Sequence, residues 1–292
     1  NIGLVVLRNE ADFFPSWKKM IMSINNVISL AVILFSLAPV QAQKMEELRS
    51  KTLEKYEKVV TSGKIPTDLQ PLYSQLEDRT PSVRKKAVQS LGLIGGPMGA
   101  LLLVRSINDS LEKNTSVRIE AAKSLGDIGG RQALESLGFG LDDRNATVRK
   151  RTVEALRWAG TVFAVPYIQA ALRKDREVGV RLEAVKMLRK IGTQFSIQPL
   201  AEALMEDRNK TVRKSAADAL GEIGKKERQA ARSLGEAYRQ ERNLGVKLEI
   251  VGSLGLMRDR AGLPFLQEAM KDRNLTVRLR ATEIYGRVLG LQ

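Results

Sequence analysis

Apolar and small residues recur along this chain with the 3.6-residue period of an amphipathic helix, and one polar phrase separates the periodic segments. The phrase is an acid, a base, often Asn, two further residues, and then Val followed by a base. It occurs seven times, and its valines are spaced 31 to 34 residues apart: Val83, Val117, Val148, Val180, Val212, Val246 and Val277. Recurrence at this spacing predicts an array of stacked helical repeats.

Each copy of the phrase predicts a pair of helices. After the valine, small or apolar residues follow at four, eight and eleven positions, as at Ala87, Leu91 and Ile94, which places them on one stripe of the second helix. The Asn three positions before most of the valines is typical of an N-cap, and the Gly that often lies twelve positions after the valine is typical of a helix stop. Pro often lies early in the first helix, where its missing N–H is tolerated.

The first 42 residues differ from the rest of the chain. Two lysines precede an apolar run from Val27 to Leu37, and small residues at Val40 and Ala42 follow the run. This order is typical of a secretory signal peptide. We therefore expect a leader over residues 1–42 that is cleaved after Ala42, no membrane span in the cleaved protein, and export to the periplasm or cell envelope. An uncleaved anchor is the alternative.

The remainder of the chain divides at residue 66. Residues 43–66 predict a charged helix with one apolar side, followed by a short linker, and residues 67–292 hold the repeats. We expect the helix to cap the exposed end of the first repeat. Docking of a partner on this helix is the alternative.

Composition narrows the chemistry that the chain can perform. It contains no Cys and no His, which excludes disulfides, thiolate nucleophiles, Ser–His pairs and His-bearing metal sites. The acids are mostly accounted for by the repeated phrase and by nearby bases. The sequence therefore predicts no catalytic residues, no cofactor and no metal, and a protein that is not an enzyme.

The repeated phrase resembles that of HEAT repeats, most closely the short bacterial type called PBS-lyase HEAT-like repeats, over residues 68–290. The resemblance implies an all-α fold, a right-handed α-solenoid of about seven helix pairs. Deoxyhypusine hydroxylase is built from HEAT repeats and holds iron through His–Glu motifs that this chain lacks. Phycobilin lyases share the repeat name, but nothing in the sequence marks a bilin site.

The resemblance also implies a ladder of ion pairs between successive repeats, formed by the acid of the phrase and the base after the valine. Its members here are Asp78, Arg84, Glu112, Arg118, Asp143, Arg149, Asp175, Arg181, Asp207, Arg213, Glu241, Lys247, Asp272 and Arg278. Stacking places equivalent positions in register, and a partly buried Arg needs a carboxylate, so physical reasoning agrees. Whether each base meets the acid of its own copy or of a neighbouring copy stays open.

A second period, of two repeats, overlies the first. Two and three positions after the valine, even-numbered copies carry an apolar residue and Glu, as at Ile119 and Glu120. Odd-numbered copies mostly carry bases there, as at Lys150 and Arg151. We expect this alternation to change the chemistry along one surface of the solenoid.

The net charge of +15 indicates a partner only after the charges that belong to the repeat framework are subtracted. The repeated phrase holds seven acids and fourteen bases, so about half of the excess belongs to the repeat framework. On the solvent side of the second helices the charge is highest in copies 3 and 4, where basic groups beside a Trp could bind carboxylates or phosphates. The candidate partner-binding residues are Lys150, Arg151, Arg157, Trp158, Lys186, Arg189 and Lys190.

These features predict an exported scaffold for protein–protein interaction whose partner presents an acidic surface or peptide. The alternative is a cytoplasmic nucleic-acid-binding solenoid. In this alternative the apparent leader is a misread start or an anchor, and salt-sensitive nucleic-acid binding together with a cytoplasmic location would favour it. The oligomeric state is not predicted.

Overall fold

In the computed structural model, which describes residues 27–160 and 162–290, every regular element is a helix. The prediction of an all-α solenoid is therefore confirmed. Residues 48–292 form one compact unit that holds all seven copies, and the residues before Leu48 belong to another unit.

Each copy consists of a first helix and a second helix. The helices in chain order are α1 (Val27–Thr61), α2 (Gln70–Gln75), α3 (Pro81–Ile94), α4 (Gly96–Leu102), α5 (Val104–Ile107), α6 (Thr115–Ile128), α7 (Gly130–Gly140), α8 (Ala146–Gly160), α9 (Val165–Lys174), α10 (Val178–Ile191), α11 (Ile197–Glu206), α12 (Lys210–Gly224), α13 (Gln229–Gln240), α14 (Leu244–Leu256), α15 (Leu263–Ala269) and α16 (Leu275–Leu289). Short 3₁₀ turns at Val162–Ala164, Gln194–Ser196 and Arg260–Gly262 precede α9, α11 and α15. The first helices of copies 1 to 7 are α2, the α4–α5 pair, α7, α9, α11, α13 and α15, and the second helices are α3, α6, α8, α10, α12, α14 and α16.

The repeated phrase starts the second helices as predicted. Asn side chains accept N–H groups of the first turn and so satisfy donors that have no partner within the helix; these residues are Asn114, Asn209, Asn243 and Asn274. The predicted apolar stripe is buried in copy 5, at Ala216, Leu220 and Ile223. Ile94 of copy 1 is instead 56% exposed, because copy 1 has a neighbouring copy on one side only.

The glycines twelve positions after the valine have two different roles. Gly95, Gly129 and Gly192 follow their helices with φ of 74°, 68° and 63°, a conformation that favours Gly. Gly160 and Gly224 are instead the last residues of α8 and α12, and a Cβ on either would lie 2.7 Å from a neighbouring side chain. At these two positions Gly permits close packing.

Each second helix packs against the second helix of the next copy. In four junctions the helices approach at a Gly nine positions after the valine, where a Cβ would lie 2.6–3.1 Å from the facing residue. These glycines are Gly92, Gly126, Gly221 and Gly255. Copies 3 and 4 carry Arg157 and Arg189 at this position, and their side chains have to leave the helix contact for the surface.

The ladder bases bind the carboxylate of the next copy. Nε and Nη2 of Arg118 donate to the two carboxylate oxygens of Asp143 at 2.5 and 3.0 Å, and both side chains are buried. Nη1 of Arg118 donates to the main-chain oxygens of Glu112 and Lys113 in its own copy. Each ladder arginine of copies 1 to 5 donates to the acid of the following copy and, through Nη1, to at least one main-chain oxygen of its own copy, so it joins the start of its own second helix to the next copy.

Six pairs form the ladder in the described residues, with shortest N–O distances of 2.5–2.8 Å: Arg84–Glu112, Arg118–Asp143, Arg149–Asp175, Arg181–Asp207, Arg213–Glu241 and Lys247–Asp272. Burial raises the pKa of Glu112, but the hydrogen bond from Arg84 and further donors outweigh burial and lower it below its usual value. Asp78 and Arg278 stand at the two ends of the row. Asp78 accepts the N–H of Thr80 and Arg278 donates to main-chain oxygens, and neither forms a ladder ion pair in this part of the chain.

Copy 6 carries Lys247 where the other copies carry Arg, and Tyr238 of α13 compensates for the difference. An ammonium group is a point charge and cannot grip two carboxylate oxygens as a guanidinium does. Nζ of Lys247 and the hydroxyl of Tyr238 both donate to Oδ2 of Asp272, at 2.6 and 2.5 Å. Burial raises the pKa of Asp272, but these two hydrogen bonds outweigh burial and lower the pKa to about 2.

A second row of ion pairs crosses every other junction on the solvent side. Its pairs, 3.3–3.7 Å apart, are Lys85–Glu120, Lys150–Glu183 and Lys214–Glu249. They join copy 1 to copy 2, copy 3 to copy 4, and copy 5 to copy 6. The two-repeat period of the sequence thus has a structural meaning, because odd copies supply the Lys and even copies the Glu.

The predicted leader is only partly within the described residues, since residues 1–26 lie outside them. From Val27, α1 continues past Ala42 to Thr61 without a break, so the predicted boundary after residue 42 falls inside a helix. Cleavage after Ala42 stays a prediction. None of the described helices combines the length and the apolar character that a membrane-spanning segment requires.

The part of α1 that follows Leu48 lies against the first helices of several copies. Tyr56 is buried against Leu101 of α4, and the same apolar cluster reaches Phe139 of α7. Arg49 forms an ion pair with Asp142 at the end of copy 3's first helix. This segment therefore covers a side of copies 1 to 3, a broader contact than the end of the first repeat.

Replacing Arg181 by Ala should lower the free energy of unfolding by about 3 kcal/mol, because it leaves the nearly buried carboxylate of Asp207 without its partner. Lys85→Ala removes a half-buried base of the second row and should cost no more than roughly 0.5 kcal/mol. Urea denaturation monitored by circular dichroism measures both changes. Equal losses would show that the ladder is not the buried contact between copies.

Replacing Tyr238 by Phe should lower the free energy of unfolding by about 1 kcal/mol at pH 7, because Asp272 loses one donor. The pKa of Asp272 is lower in the folded protein than the unfolded value of about 3.9, so its contribution is present above about pH 4 and is lost as the pH falls towards 2. Tyr238→Phe should therefore make this acid-induced loss smaller.

Adding Lys247→Arg to the Tyr238→Phe variant is the matched control, since a guanidinium reaches both carboxylate oxygens and should restore part of the lost stability. Denaturation series between pH 2 and pH 7 would compare the three proteins. An identical acid-induced loss in the original protein and in the Tyr238→Phe variant would contradict the assigned role of the hydroxyl.

Candidate interaction surface on copies 3 and 4

The seven candidate partner-binding residues lie on α8 and α10, the second helices of copies 3 and 4. The helices α8 and α10 pack side by side, with Arg157 and Arg189 at one equivalent position and Trp158 and Lys190 at the next. These four residues lie in the last turn of their helices, at the edge where one copy leads into the next.

Four of the candidate bases are bound to acids of the chain itself. The nearly buried carboxylate of Glu183 binds two of these four bases, and the other two bases each bind a separate carboxylate. Their charges are compensated within the protein and attract an external anion less than the sequence suggests. The pairs, 2.7–3.7 Å apart, are Lys150–Glu183, Lys186–Glu183, Arg151–Glu154 and Arg189–Asp218.

Arg157 and Lys190 form no ion pair within the described ranges. The guanidinium carbon of Arg157 lies 4.1 Å from the centroid of the Trp158 ring, and this indole is 65% exposed. Stacking on the ring orients the guanidinium and leaves its N–H groups for an incoming carboxylate. Of the seven candidates, Arg157, Trp158 and Lys190 are therefore the ones whose side chains are available to a partner.

Phe163 and Phe195 belong to the same edge and were not predicted from the sequence. They lie in the 3₁₀ turns that follow α8 and α10 and are 67% and 54% exposed. Both stand fifteen positions after the valine of their copy, where no other copy carries an aromatic residue. This register is the signal that could have revealed them. Arg157, Trp158, Phe163, Lys190 and Phe195 are referred to below as the Trp158 surface.

A groove of about 420 Å³ opens beside Trp158, between α6 and α8. Gly126 lines it where the two helices approach, and a Cβ there would lie 3.1 Å from Ala155. At the equivalent place between α10 and α12, Arg189 replaces the Gly and reaches Asp218 of the next copy. The groove beside Trp158 is therefore open, whereas the equivalent place two copies further on is closed by the Arg189–Asp218 ion pair.

No three His, Cys, Asp or Glu side chains of the described residues come together in a way that could hold a metal ion. The Trp158 surface offers two cations without acidic partners, three exposed aromatic rings and an adjoining groove. This combination can bind carboxylates and apolar side chains.

A family model for HEAT repeats matches residues 69–157, 139–221 and 165–246. Together these matches cover more than half of the 292 residues. They confirm the resemblance that the repeated phrase indicates. No protein among the curated sequences matches the chain.

Solved structures that resemble the chain are distant from it. Human deoxyhypusine hydroxylase in complex with glycerol is 20% identical, with 86% of this chain and 98% of that chain covered and a TM-score of 0.38. The complex of CpcE and CpcF of phycocyanin lyase from Nostoc sp. PCC7120 is 18% identical, with 74% and 93% covered and a TM-score of 0.40. The YibA protein of Escherichia coli is 18% identical, with 80% and 97% covered and a TM-score of 0.37.

The prediction that this chain is not an enzyme is contradicted by these structures. Two of them are a hydroxylase and a lyase. The lack of Cys and His excludes particular chemistries and leaves catalysis by other groups open.

Proposed function

This chain belongs to the HEAT-repeat family, and from that premise we propose that it is a scaffold that binds a protein partner at the Trp158 surface. The partner presents carboxylates together with apolar side chains. The observation that carries the proposal is that three exposed aromatic rings and two bases without acidic partners among the described residues lie at the same edge of the neighbouring copies 3 and 4.

Chemistry supports a protein partner. Large aromatic residues and Arg supply much of the binding energy at protein interfaces, especially where apolar area lies beside a hydrogen-bonding group. An incoming carboxylate would meet the Arg157 guanidinium, which is already oriented by stacking, and Lys190 lies one copy further on. Apolar side chains of the partner would cover the exposed rings of Trp158, Phe163 and Phe195.

The internal ion pairs weigh against the nucleic-acid alternative at this site. Nucleic-acid binding draws most of its affinity from many phosphate contacts. Four of the six bases proposed here are already held by carboxylates. Two free cations suit one or two acidic side chains of a protein better than a charged backbone.

We also propose that the protein is exported and acts in the periplasm or cell envelope. The proposal is supported by the order of basic, apolar and small residues over residues 1–42.

Incorporating a photo-crosslinking amino acid at position 163 or 195 should trap the partner in cells that produce the full chain. Charge reversal at Arg157 and Lys190 together should reduce the yield of this adduct at least about tenfold, because both contacts become repulsive. Arg189 is left unchanged, since its reversal would also repel Asp218. Adduct yield is measured by immunoblotting, and the trapped protein is identified by mass spectrometry.

The matched control reverses Lys226 and Arg260, two exposed bases on the same edge in copies 5 and 6. It changes the net charge by the same amount and should leave the adduct intact. Thermal unfolding checks that both double variants fold. Equal adduct yields from the two variants would exclude the Trp158 surface as the binding site.

Export predicts that the N-terminal residue of the purified protein is Gln43. Fractionation of the producing cells should place this form outside the cytoplasm, and Edman sequencing reads its first residues. A soluble cytoplasmic protein that retains the leader would overturn the export proposal and leave the partner-binding proposal untouched.

A further inference from the structure

A column of exposed bases runs along the edge of the solenoid where the first helix of each copy turns into the second. The residue four positions before the repeat valine is an exposed base in all seven copies. In copies 3 to 7 it is Arg144, Arg176, Arg208, Arg242 and Arg273. These bases are referred to below as the basic column.

The basic column is not neutralised by the acids that precede its members in the sequence. From copy 2 onwards, those acids are turned into the ladder, where their side chains are 0–7% exposed. Among the described residues, Arg144 is the only member that forms an ion pair, with Asp109 at 3.0 Å. From copy 2 onwards, every copy except copy 3 therefore adds a base without an ion-pair partner among the described residues to this edge.

The middle of the basic column is held in place by hydrogen bonds between copies. Nη2 of Arg176 donates to the main-chain oxygen of Arg144 at 3.2 Å, and Nη2 of Arg208 donates to that of Arg176 at 3.1 Å. Each guanidinium is anchored through one nitrogen and keeps other N–H groups for a ligand. A ligand that binds these oriented groups loses less side-chain entropy than one that must order free arginines.

We propose that the basic column binds an extended, acidic segment of a protein in which acids recur about every third residue. Packed helices lie about 10 Å apart, and an extended chain in the polyproline II conformation has three residues per turn and advances about 3.1 Å per residue, so every third side chain returns to the same face about 9 Å further on. Every third side chain then meets a base of the next copy, and a carboxylate can accept two hydrogen bonds from an Arg.

This site is distinct from the Trp158 surface. The two edges lie at opposite ends of the second helices, about 20 Å apart for helices of this length. The inference goes beyond the proposed function and holds or fails independently of it.

The chemistry of the turns favours a polypeptide over other polyanions. Single-stranded nucleic acids are bound through aromatic residues that stack on bases, and these turns contain no Phe, Trp or Tyr. Leu244 and Leu275, beside the column in copies 6 and 7, are 41% and 57% exposed and can contact apolar side chains. Glu177 is exposed beside Arg176 and would repel a polyanion that carries charge at every step.

The test uses the full chain and two fluorescein-labelled peptides of identical composition, measured by fluorescence anisotropy. One peptide repeats Glu-Gly-Ser five times, and the other carries the same five Glu residues in one block. The spaced peptide should bind at least about fivefold more tightly than the block peptide. Arg176→Glu with Arg208→Glu should weaken its binding about tenfold.

Two control variants make the result specific. Lys226→Glu with Arg260→Glu changes the net charge equally on the other edge and should alter the affinity less than about twofold. Arg157→Glu with Lys190→Glu should likewise leave this peptide bound, which separates the basic column from the Trp158 surface. Arg176→Gln with Arg208→Gln repeats the test without introducing new acids, and circular dichroism checks the fold of every variant.

Three results would overturn the inference. Equal affinities for the spaced and block peptides would show that the basic column attracts any acidic chain through charge alone. Equal losses of affinity in all charge-reversal variants would show the same. Tighter binding of a fifteen-residue oligothymidylate, lost in the Arg176→Glu, Arg208→Glu variant, would assign the column to nucleic acid. Sedimentation with phosphatidylserine vesicles, lost in the same variant while neither peptide binds, would assign it to a membrane surface.

Discussion

The hydrogen-bonded fork between an Arg and the carboxylate of the next copy is the interaction on which this solenoid depends. A buried charge is tolerable only when its partner and its remaining hydrogen bonds are all in place. Arg118 meets this condition through Asp143 and two main-chain oxygens, and Asp143 also accepts the N–H of Asn145. One side chain thus fixes where its own second helix begins and how far away the next copy lies. Apolar packing alone would stack the helices without setting that register.

The register gives the two edges of the solenoid different chemistry. At the start of the second helices the acids are drawn inward, so the bases beside them remain as a continuous positive edge. At the end of these helices the composition changes from copy to copy, and copies 3 and 4 gather aromatic residues there. Recognition of a specific partner needs both features. The repeated framework sets the spacing of the binding side chains, and the residues that vary from copy to copy set their chemistry.

Those parts of the fold that depend on local pattern could be predicted from the sequence. The Asn caps, the starts of the second helices and the membership of the ladder all follow from residues a few positions apart. The compensation of Arg189 by Asp218 and of Lys150 by Glu183 could not be predicted, because it joins residues 29 or more positions apart on different copies. The role of Tyr238 was missed for the same reason, since its hydroxyl matters only because Lys247 and Asp272, on different copies, meet beside it. Phe163 and Phe195 could have been predicted, because they are the only aromatic residues fifteen positions after a repeat valine.

The Lys–Glu pairs at alternate junctions constrain how the chain can change in length. Each pair needs an odd copy followed by an even one, whereas the ladder needs only consecutive copies. Deleting any single copy from copy 2 to copy 6 would bring two copies of the same type together and lose a pair of the second row, while the ladder would close normally. Gains and losses that preserve both rows therefore occur in blocks of two copies, or 64 to 65 residues. The pair of repeats is therefore the smallest internal block whose loss preserves both rows, although the single repeat sets the geometry of the ladder.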